Sequence, residues 1–313
     1  MSWSISEIPD LTDKVAVVTG ANGGLGLESA RALAGVNAHV IMAARDQEKA
    51  KRALDEVQAA HPGASLEIVE LDLGSLASTE EAAGAISEQH QVVDILLNNA
   101  GVMAMPERRT VDGFETQIGI NHLGHWALTA HLLPSLLRAD AARVVTVTST
   151  AHHFGRPVDP DNPHLEGNYK PWKGYGQSKL ANYHFALGLQ KEFENHKASA
   201  QSLVAHPGLS HTNLQVHTAD QGAVGASGPF WKYLAAKVGM HAADGALPQI
   251  RAATDPSAEG GQMYAPRFMN SGAPVRRPIL RRIGLSKAIE DLWAVSEQET
   301  GIRLDLEHAA QQP

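Results

Sequence analysis

The stretch Lys14-Val15-Ala16-Val17-Val18-Thr19-Gly20-Ala21-Asn22-Gly23-Gly24-Leu25-Gly26 joins two kinds of sequence. Its first half is a short apolar, β-branched run, the pattern of a strand buried on both faces of a parallel sheet. Its second half is a glycine-rich turn, followed by a helical pattern over Leu27 to Leu33. Glycines let the backbone turn tightly and come close to a ligand. The following helix N-terminus offers free N–H groups and a partial positive charge to a pyrophosphate. The spacing here is Gly20, Gly24, Gly26, rather than the commoner G-x-G-x-x-G, and Gly23 reads as a turn residue only. The strand–turn–helix context gives the pattern its weight.

Working outward, strand and helix patterns alternate. His39 to Ala44 reads as a second strand, followed by a helix over 47–60 with Asp46 as its N-cap. A carboxylate at the end of this strand would suit the ribose 2′-OH of NAD. The position holds Ala44 and then Arg45, the pairing expected for a 2′-phosphate, so NADP(H) is preferred over NAD(H). Ser65 to Leu71 reads as a third strand leading into Asp72-Leu73, with a helix over 75–90 capped by Ser75. Val92 to Leu97 reads as a fourth strand ending in Asn98-Asn99-Ala100-Gly101. Small and amide residues at a strand's carboxyl end lie where open α/β sheets bind ligands. A long helix follows over about 112–138; it carries Asn121, and Pro134 should kink or interrupt it. Arg143 to Thr148 is the fifth strand and delivers Ser149; Ala200 to Val204 is the sixth, ending at His206-Pro207-Gly208. The alternation predicts an α/β fold: a Rossmann-type, doubly wound parallel sheet of about seven strands with helices on both faces.

Composition bounds the reading. At 313 residues the chain can bury roughly 75% of its unfolded surface. No linker-like stretch divides it, so one domain over residues 1–313 is expected. The balance of 26 Lys+Arg against 34 Asp+Glu gives −8, with no basic run suited to a phosphate backbone, so nucleic acid is not an expected partner. Arg276-Arg277 and Arg281-Arg282, interrupted by Pro278, read as a solvated loop or a local anion contact. Absence of cysteine excludes disulfides, thiolate catalysis and zinc–thiolate sites. Sixteen histidines are scattered, and His152-His153 has no carboxylate partner in sequence, so no metal is expected. No signal core or run of 18 apolar residues is present, and the expected location is cytoplasmic.

Tyr175-Gly176-Gln177-Ser178-Lys179 opens an amphipathic helical pattern that runs to about His196. A phenol and an amine at i and i+4 share one helix face. A cation beside a phenol favours the phenolate and moves it toward the working range of an acid–base catalyst.

Thr19-Gly20-x-x-x-Gly24-x-Gly26, Asn98-Asn99-Ala100-Gly101, Asn121, Ser149 and Tyr175-x-x-x-Lys179 occur in order. Together they resemble the short-chain dehydrogenase/reductase family over about residues 12–212. Asn121-His122-Leu123-Gly124-His125, Ser149-Thr150-Ala151-His152 and Tyr175 to Asn182 look most like its retinol dehydrogenase and protochlorophyllide reductase branch. The resemblance implies that Tyr175 is the general acid or base and that Lys179 lowers its pKa and holds a ribose hydroxyl. It implies that Ser149 hydrogen-bonds the substrate oxygen and that Asn121 positions a water in a proton relay. Gly20, Asn22, Gly24, Leu25 and Gly26 would wrap the pyrophosphate. Asp72 and Leu73 would meet the adenine, and Asn99, Ala100 and Gly101 would flank the adenosine ribose. Pro207, Gly208 and Thr212 would seat the carboxamide. His122, His125 and Trp126 fit packing or capping and receive no chemistry, and Tyr183 reads as packing.

Thr146 and Thr148 stand where many relatives have Asn and Ser, with little effect expected. Residues 213–313 are expected to supply a substrate lid and C-terminal elements. These are a segment 213–240 with Phe230 and Trp231, a helix over 242–254, a last edge strand from Gly260 to Tyr264, an amphipathic helix over 286–300 and a frayed tail from His308. The expected function is NADP(H)-dependent interconversion of a carbonyl and an alcohol on a small lipophilic substrate. The alternatives are reduction of a carbon–carbon double bond, against which the missing cysteine of protochlorophyllide reductases weighs, or nucleotide sensing without turnover. The family admits both homodimers, through the helices carrying Asn121 and Tyr175, and monomers.

Overall fold

The structure is a computed structural model that describes residues 3–208, 240–280 and 283–311. Its framework is an eight-stranded sheet in the order β3-β2-β1-β4-β5-β6-β7-β8. The strands are β1 (Val15–Thr19), β2 (His39–Ala44), β3 (Ser65–Glu70), β4 (Ile95–Asn98), β5 (Arg143–Val147), β6 (Gln201–Ala205), β7 (Met263–Pro266) and β8 (Pro274–Arg277). The first seven pair in parallel; β8 alone runs antiparallel, against β7. Strand order reverses between β1 and β4, and open α/β sheets bind ligands in the crevice beyond such a switch point.

The helices are α1 (Gly24–Ala34), α2 (Gln47–Ala60), α3 (Leu76–Gln89), the short α4 (Thr116–Ile118), α5 (Gly124–Leu137), α6 (Pro171–Asn195), α7 (Ala242–Thr254), α8 (Leu285–Thr300) and the short α9 (Leu306–Ala309). Successive strand side chains point to opposite faces. Val17, Ile41, Leu96 and Val144 therefore join a core shared with α3, α5, α6 and α8. Ala16, Val18, Val40, Met42 and Leu97 join a second core on the face of α1, α2 and α7. Both faces are covered, which is why the strands read as continuous apolar runs. Asp46 caps α2 by accepting Lys49 N–H at 3.0 Å, and Ser75 caps α3 by accepting Ser78 N–H at 3.2 Å.

Several expectations are corrected. The sheet has eight strands rather than about seven, because Pro274–Arg277, read as lying before or within a solvated loop, pairs with β7. The last parallel strand is Met263–Pro266, and it is interior, not the edge. β4 starts at Ile95 rather than Val92, because Asp94 turns its carboxylate back to the start of β1, accepting Val15 N–H at 3.0 Å and Lys14 Nζ at 2.9 Å. The long helix begins at Thr116 and passes through a π-turn at Gly119–Leu123 that contains Asn121; Pro134 lies within α5, which ends at Leu137. Of the expected frayed tail, His308 and Ala309 instead belong to a helical turn, Asp305 accepting His308 N–H at 2.9 Å and Ala309 being buried, while residues 312–313 lie outside the described residues.

The C-terminal helix α8 lies on α6. Trp293 sits against Gly188, where a side chain on the glycine would collide with the indole. Its ring meets Phe185 at 5.8 Å and Trp126 at 5.1 Å. The segment between Ser149 and Tyr175 joins this cover through His164, whose Nε2 lies 2.8 Å from Glu299.

Candidate active site

The site is built at the carboxyl ends of β1, β4 and β5. Gly20 and Gly24 adopt φ of +69° and +55°, a region that side chains strain to enter. At Gly26 the constraint is space: a Cβ would strike the Gly20 carbonyl and come within 2.7 Å of Asn99 Nδ2. Gly23 is extended, at φ 170°, so it needs no glycine. Asn22 and Leu25 lie in this turn and in the first helical turn after it. The tight backbone, ending on the N-terminus of α1, fits a pyrophosphate.

Thr19 fastens this turn to the next one. Its buried hydroxyl accepts Asn99 N–H and Ala100 N–H, each at 2.9 Å. It also lies 2.9 Å from His125 Nε2 and 3.2 Å from the Leu97 carbonyl. The His125 Nδ1 lies 3.0 Å from the Asn121 carbonyl, which can only accept, so Nδ1 carries the proton. Burial holds the imidazole neutral by pushing its pKa down to about 4. Nε2 is then an acceptor, and the Thr19 hydroxyl donates to it. Along the chain His125 reads only as packing or capping. The structure makes it the link between the β1 turn and the Asn121 segment.

Asn99 Nδ2 donates to Thr19 O at 2.8 Å, and Asn99 Oδ1 accepts from Gln249 Nε2 at 3.0 Å. Gln249, on α7, also reaches Ser29 on α1 at 2.8 Å; pattern alone gave no hint of it. Gly101 lets two of the expected residues approach. A Cβ there would sit 2.8 Å from Asn121 Oδ1 and 3.3 Å from Lys179 Nζ. The Asn121 side chain is itself occupied, pairing with Val102 N–H and C=O at 2.7 and 2.9 Å and with Ser178 Oγ at 2.8 Å.

Three bonds tie α6 to the end of β5. Thr148 Oγ1 donates to Lys179 O at 2.6 Å, and Lys179 Nζ and Asn182 Nδ2 donate to Val147 O at 3.2 and 3.0 Å. Thr148 thus has a structural use that its strand-compatible reading did not foresee. This attachment puts Tyr175 beside Ser149, whose hydroxyl is hydrogen-bonded to the phenol. Burial pushes the Tyr175 phenol up, and the Ser149 bond partly offsets this. The Lys179 ammonium is turned to Val147 O and toward Gly101. Burial pushes Lys179 down to about 8.

The remaining expected residues spread along the same sheet end. Arg45, 70% exposed in its side chain, lies 3.5 Å from Asp72, so the two are brought together at the ends of β2 and β3. Leu73 is buried, and its carbonyl leaves no room for a side chain at Gly124. Pro207 and Gly208 follow β6, with Gly208 at φ +73°. Thr212, Phe230, Trp231 and the expected lid lie outside the described residues. His122 packs, its Nε2 2.8 Å from Ser296 Oγ, and Trp126 donates to Ile302 O at 2.9 Å. Tyr183 stacks on His152 at 4.9 Å, as packing.

A parallel sheet with a glycine cradle at its switch point and a Tyr-x-x-x-Lys helix beside a strand-end serine defines a dinucleotide-binding α/β protein. The sequence profile of the short chain dehydrogenase family matches residues 14–222, and the chain belongs to that family. It is 42% identical over 216 residues to the short-chain dehydrogenase/reductase prx1 of Penicillium roqueforti, a match covering 67% of this chain and 61% of that protein's length. It is 34% identical over 293 residues to human retinol dehydrogenase 12, covering 94% of this chain and 88% of that one. A solved structure of an uncharacterized protein from Mycobacterium paratuberculosis aligns with a TM-score of 0.78 at 38% identity, covering 98% of this chain and all of that one. A short chain dehydrogenase from Shigella flexneri complexed with NADP shares the fold at a TM-score of 0.61 and 23% identity, covering 81% of this chain and 97% of that one. Among the described residues, no helix is long and apolar enough to cross a membrane.

Two predictions follow from the geometry. Thr19→Val keeps the shape but leaves Asn99 N–H, Ala100 N–H and His125 Nε2 without this partner. Asn99 N–H keeps Leu97 O at 2.9 Å, so two groups are orphaned; at ~1–3 kcal/mol each, urea unfolding should show a loss of about 2 kcal/mol or more, largely restored by Thr19→Ser. Lys179 binds its proton less tightly folded, at about 8, than unfolded, at 10.5. The charged buried amine therefore costs the folded state most below pH 8, and the cost fades as pH rises from 8 toward 10.5. Relative to Lys179→Met, the parent should gain roughly 2–3 kcal/mol between about pH 7 and about pH 10 in parallel unfolding titrations.

Proposed function

We propose that this chain is an NADP(H)-dependent oxidoreductase that interconverts a carbonyl and an alcohol on a small lipophilic substrate, with Tyr175 as its acid and base. The observation that carries the reading is the buried Tyr175 phenol, hydrogen-bonded to Ser149 and one helical turn from Lys179. The nicotinamide supplies the hydride; the protein supplies orientation and the proton. Burial keeps the proton on Tyr175 at neutral pH, which is the state required of an acid toward a carbonyl oxygen. As charge develops on that oxygen, Ser149 and Tyr175 both present hydroxyl donors to it. Lys179 returns the proton to Tyr175, and Asn121, which lies with it over Gly101, positions a water that links Lys179 to solvent. The glycine turn holds the pyrophosphate, Asp72 and Leu73 the adenine, and Asn99 to Gly101 the ribose side; Pro207, Gly208 and Thr212 seat the carboxamide.

Arg45 supports the NADP(H) preference. It is exposed at the end of β2 and tethered only loosely to Asp72 across 3.5 Å, so it can turn to a 2′-phosphate. The lipophilic substrate is supported by aromatic surface beside the acid. Trp172, 37% exposed, meets the Tyr175 ring edge-on at 5.9 Å, and Phe154, 59% exposed, lies against Gly176. Similarity to retinol dehydrogenases 11, 12 and 13 is in keeping with such a substrate. Dimerisation through α5 and α6 is not part of this reading, because α8 and the 149–175 segment already lie on α6 and its surroundings.

Tyr175→Phe should lower kcat with NADPH and an apolar aldehyde or ketone by about 10²–10⁴-fold while leaving NADPH affinity close to the parent's. Unchanged turnover would remove Tyr175 from the chemistry. Bound NADPH with no turnover of any carbonyl, alcohol or alkene by the parent would favour a nucleotide sensor. Arg45→Ala should weaken NADPH by ~10-fold or more and NADH little, as one charge-assisted phosphate contact requires. An unaltered ratio of the two affinities would separate Arg45 from cofactor choice.

A further inference from the structure

The opposite end of the sheet carries a second convergence of chemistry-bearing side chains. The register of β2 on β3 pairs His39 with Ser65 and Ile41 with Glu67. Side chains alternate, so His39, Ile41 and Ala43 share a face with Ser65, Glu67 and Val69. Ile41, Ala43 and Val69 belong to the core on which α3 packs. His90 is the residue that ends α3, and it drops onto this same face.

The result is two imidazoles aimed at one carboxylate oxygen. Glu67 Oε2 lies 2.8 Å from His90 Nε2 and 3.3 Å from His39 Nε2. The two rings are 4.7 Å apart and tilted by 34°. His39 is oriented from behind: its Nδ1 lies 2.7 Å from Ser65 Oγ, which leaves Nε2 facing the cluster. Among the described residues, this is a group of three ligating side chains whose donor atoms all lie within 4.8 Å of one another.

We propose that His39, Glu67 and His90 form a site for a divalent first-row transition ion, with zinc the best fit to the donor set. Two imidazole nitrogens and one carboxylate oxygen are a common zinc triad, with water able to take the fourth position. A tetrahedral ion with bonds of ~2.0–2.1 Å needs donors about 3.3 Å apart. The 2.8 and 3.3 Å separations lie at or just under that, and the outer limit of 4.8 Å closes with a movement of about 1.5 Å in one ring. A hydrogen bond from outside the site to the far nitrogen of a ligating histidine is the usual orienting device, and Ser65 supplies it. The three side chains are only 18–26% exposed, so they are held in place yet reachable.

The ion would clip the starts of β2 and β3 to the end of α3. It would sit about 20 Å along β2 from Arg45, beyond reach of the cofactor crevice. Its role is therefore to stiffen the sheet edge at β3, which pairs on one side only.

The test is titration of the untagged, chelator-stripped protein with zinc at neutral pH, against a competing chromophoric chelator. The parent should bind one zinc per chain, and zinc should raise its thermal midpoint. Glu67→Gln and His90→Gln, which keep polar side chains of similar size, should each lose at least ~10-fold in affinity and most of the thermal shift; Ser65→Ala should weaken binding by a smaller factor. Circular dichroism of both variants separates lost ligation from lost fold, and His39→Gln stands in for any variant that fails to fold. Absence of stoichiometric binding by the parent would overturn the proposal. So would zinc affinity retained in both Glu67→Gln and His90→Gln, since the metal would then rest on other histidines.

Discussion

The Thr19 hydroxyl is the constraint on which the cofactor end of the sheet depends. β1 and β4 are neighbours in the sheet, but their chains leave it in different directions, one into the glycine cradle and one into Asn99-Ala100-Gly101. Two N–H groups follow the end of β4, that of Asn99, which also reaches Leu97 O at 2.9 Å, and that of Ala100. One oxygen on β1 accepts both and donates a hydrogen bond to a neutral histidine on α5. A side chain that can accept twice and donate once is required there, and of the small β-compatible residues only threonine and serine offer that. Through His125 the same hydroxyl sets the Asn121 carbonyl. Cradle, strand-end turn and π-turn are therefore positioned as one unit.

The helix that carries Tyr175 and Lys179 is attached by a different device. Val147 O and Lys179 O at the junction of β5 and α6 are met by Lys179, Asn182 and Thr148 side chains. These bonds place the phenol against Ser149 and bury both the phenol and the amine. Burial then acts on them in opposite senses, because it disfavours charge. The phenol holds its proton more firmly, while the amine gives up its own near neutrality.

Much of the fold was legible along the chain. The 47–60 and 242–254 helices, the 39–44 strand, and the Asp46 and Ser75 caps coincide with what forms, because periodicity and capping are local physics. What was missed depends on partners distant in sequence. Pro274–Arg277 is charged and short, and becomes a strand only because β7 offers it an edge. Val92-Val93-Asp94 is apolar enough for a strand, yet Asp94 is drawn to the β1 backbone. His308 and Ala309 looked free because Leu306 and Ala309 are held by burial against the core; the Asp305 cap on His308 N–H is local and was overlooked. Of the candidate site, the glycines, Asn121, Ser149, Tyr175 and Lys179 stood out as motif residues. His125 and Gln249 did not, since nothing local marks a histidine or an amide that bridges elements.

The sequence by itself determined the parallel α/β class, the glycine positions at which a side chain would be strained or excluded, and the shared helix face of Tyr175 and Lys179. Each of these follows from local sterics or from a repeat of the chain. Only the tertiary structure decided which groups those residues face. It turned Lys179 toward Val147 and Gly101, gave Thr19 three partners, laid α8 over α6, and set His39 and His90 around Glu67. Strand register and helix docking select such contacts, and both are set by burial summed over the whole core, a quantity that no single stretch of sequence contains.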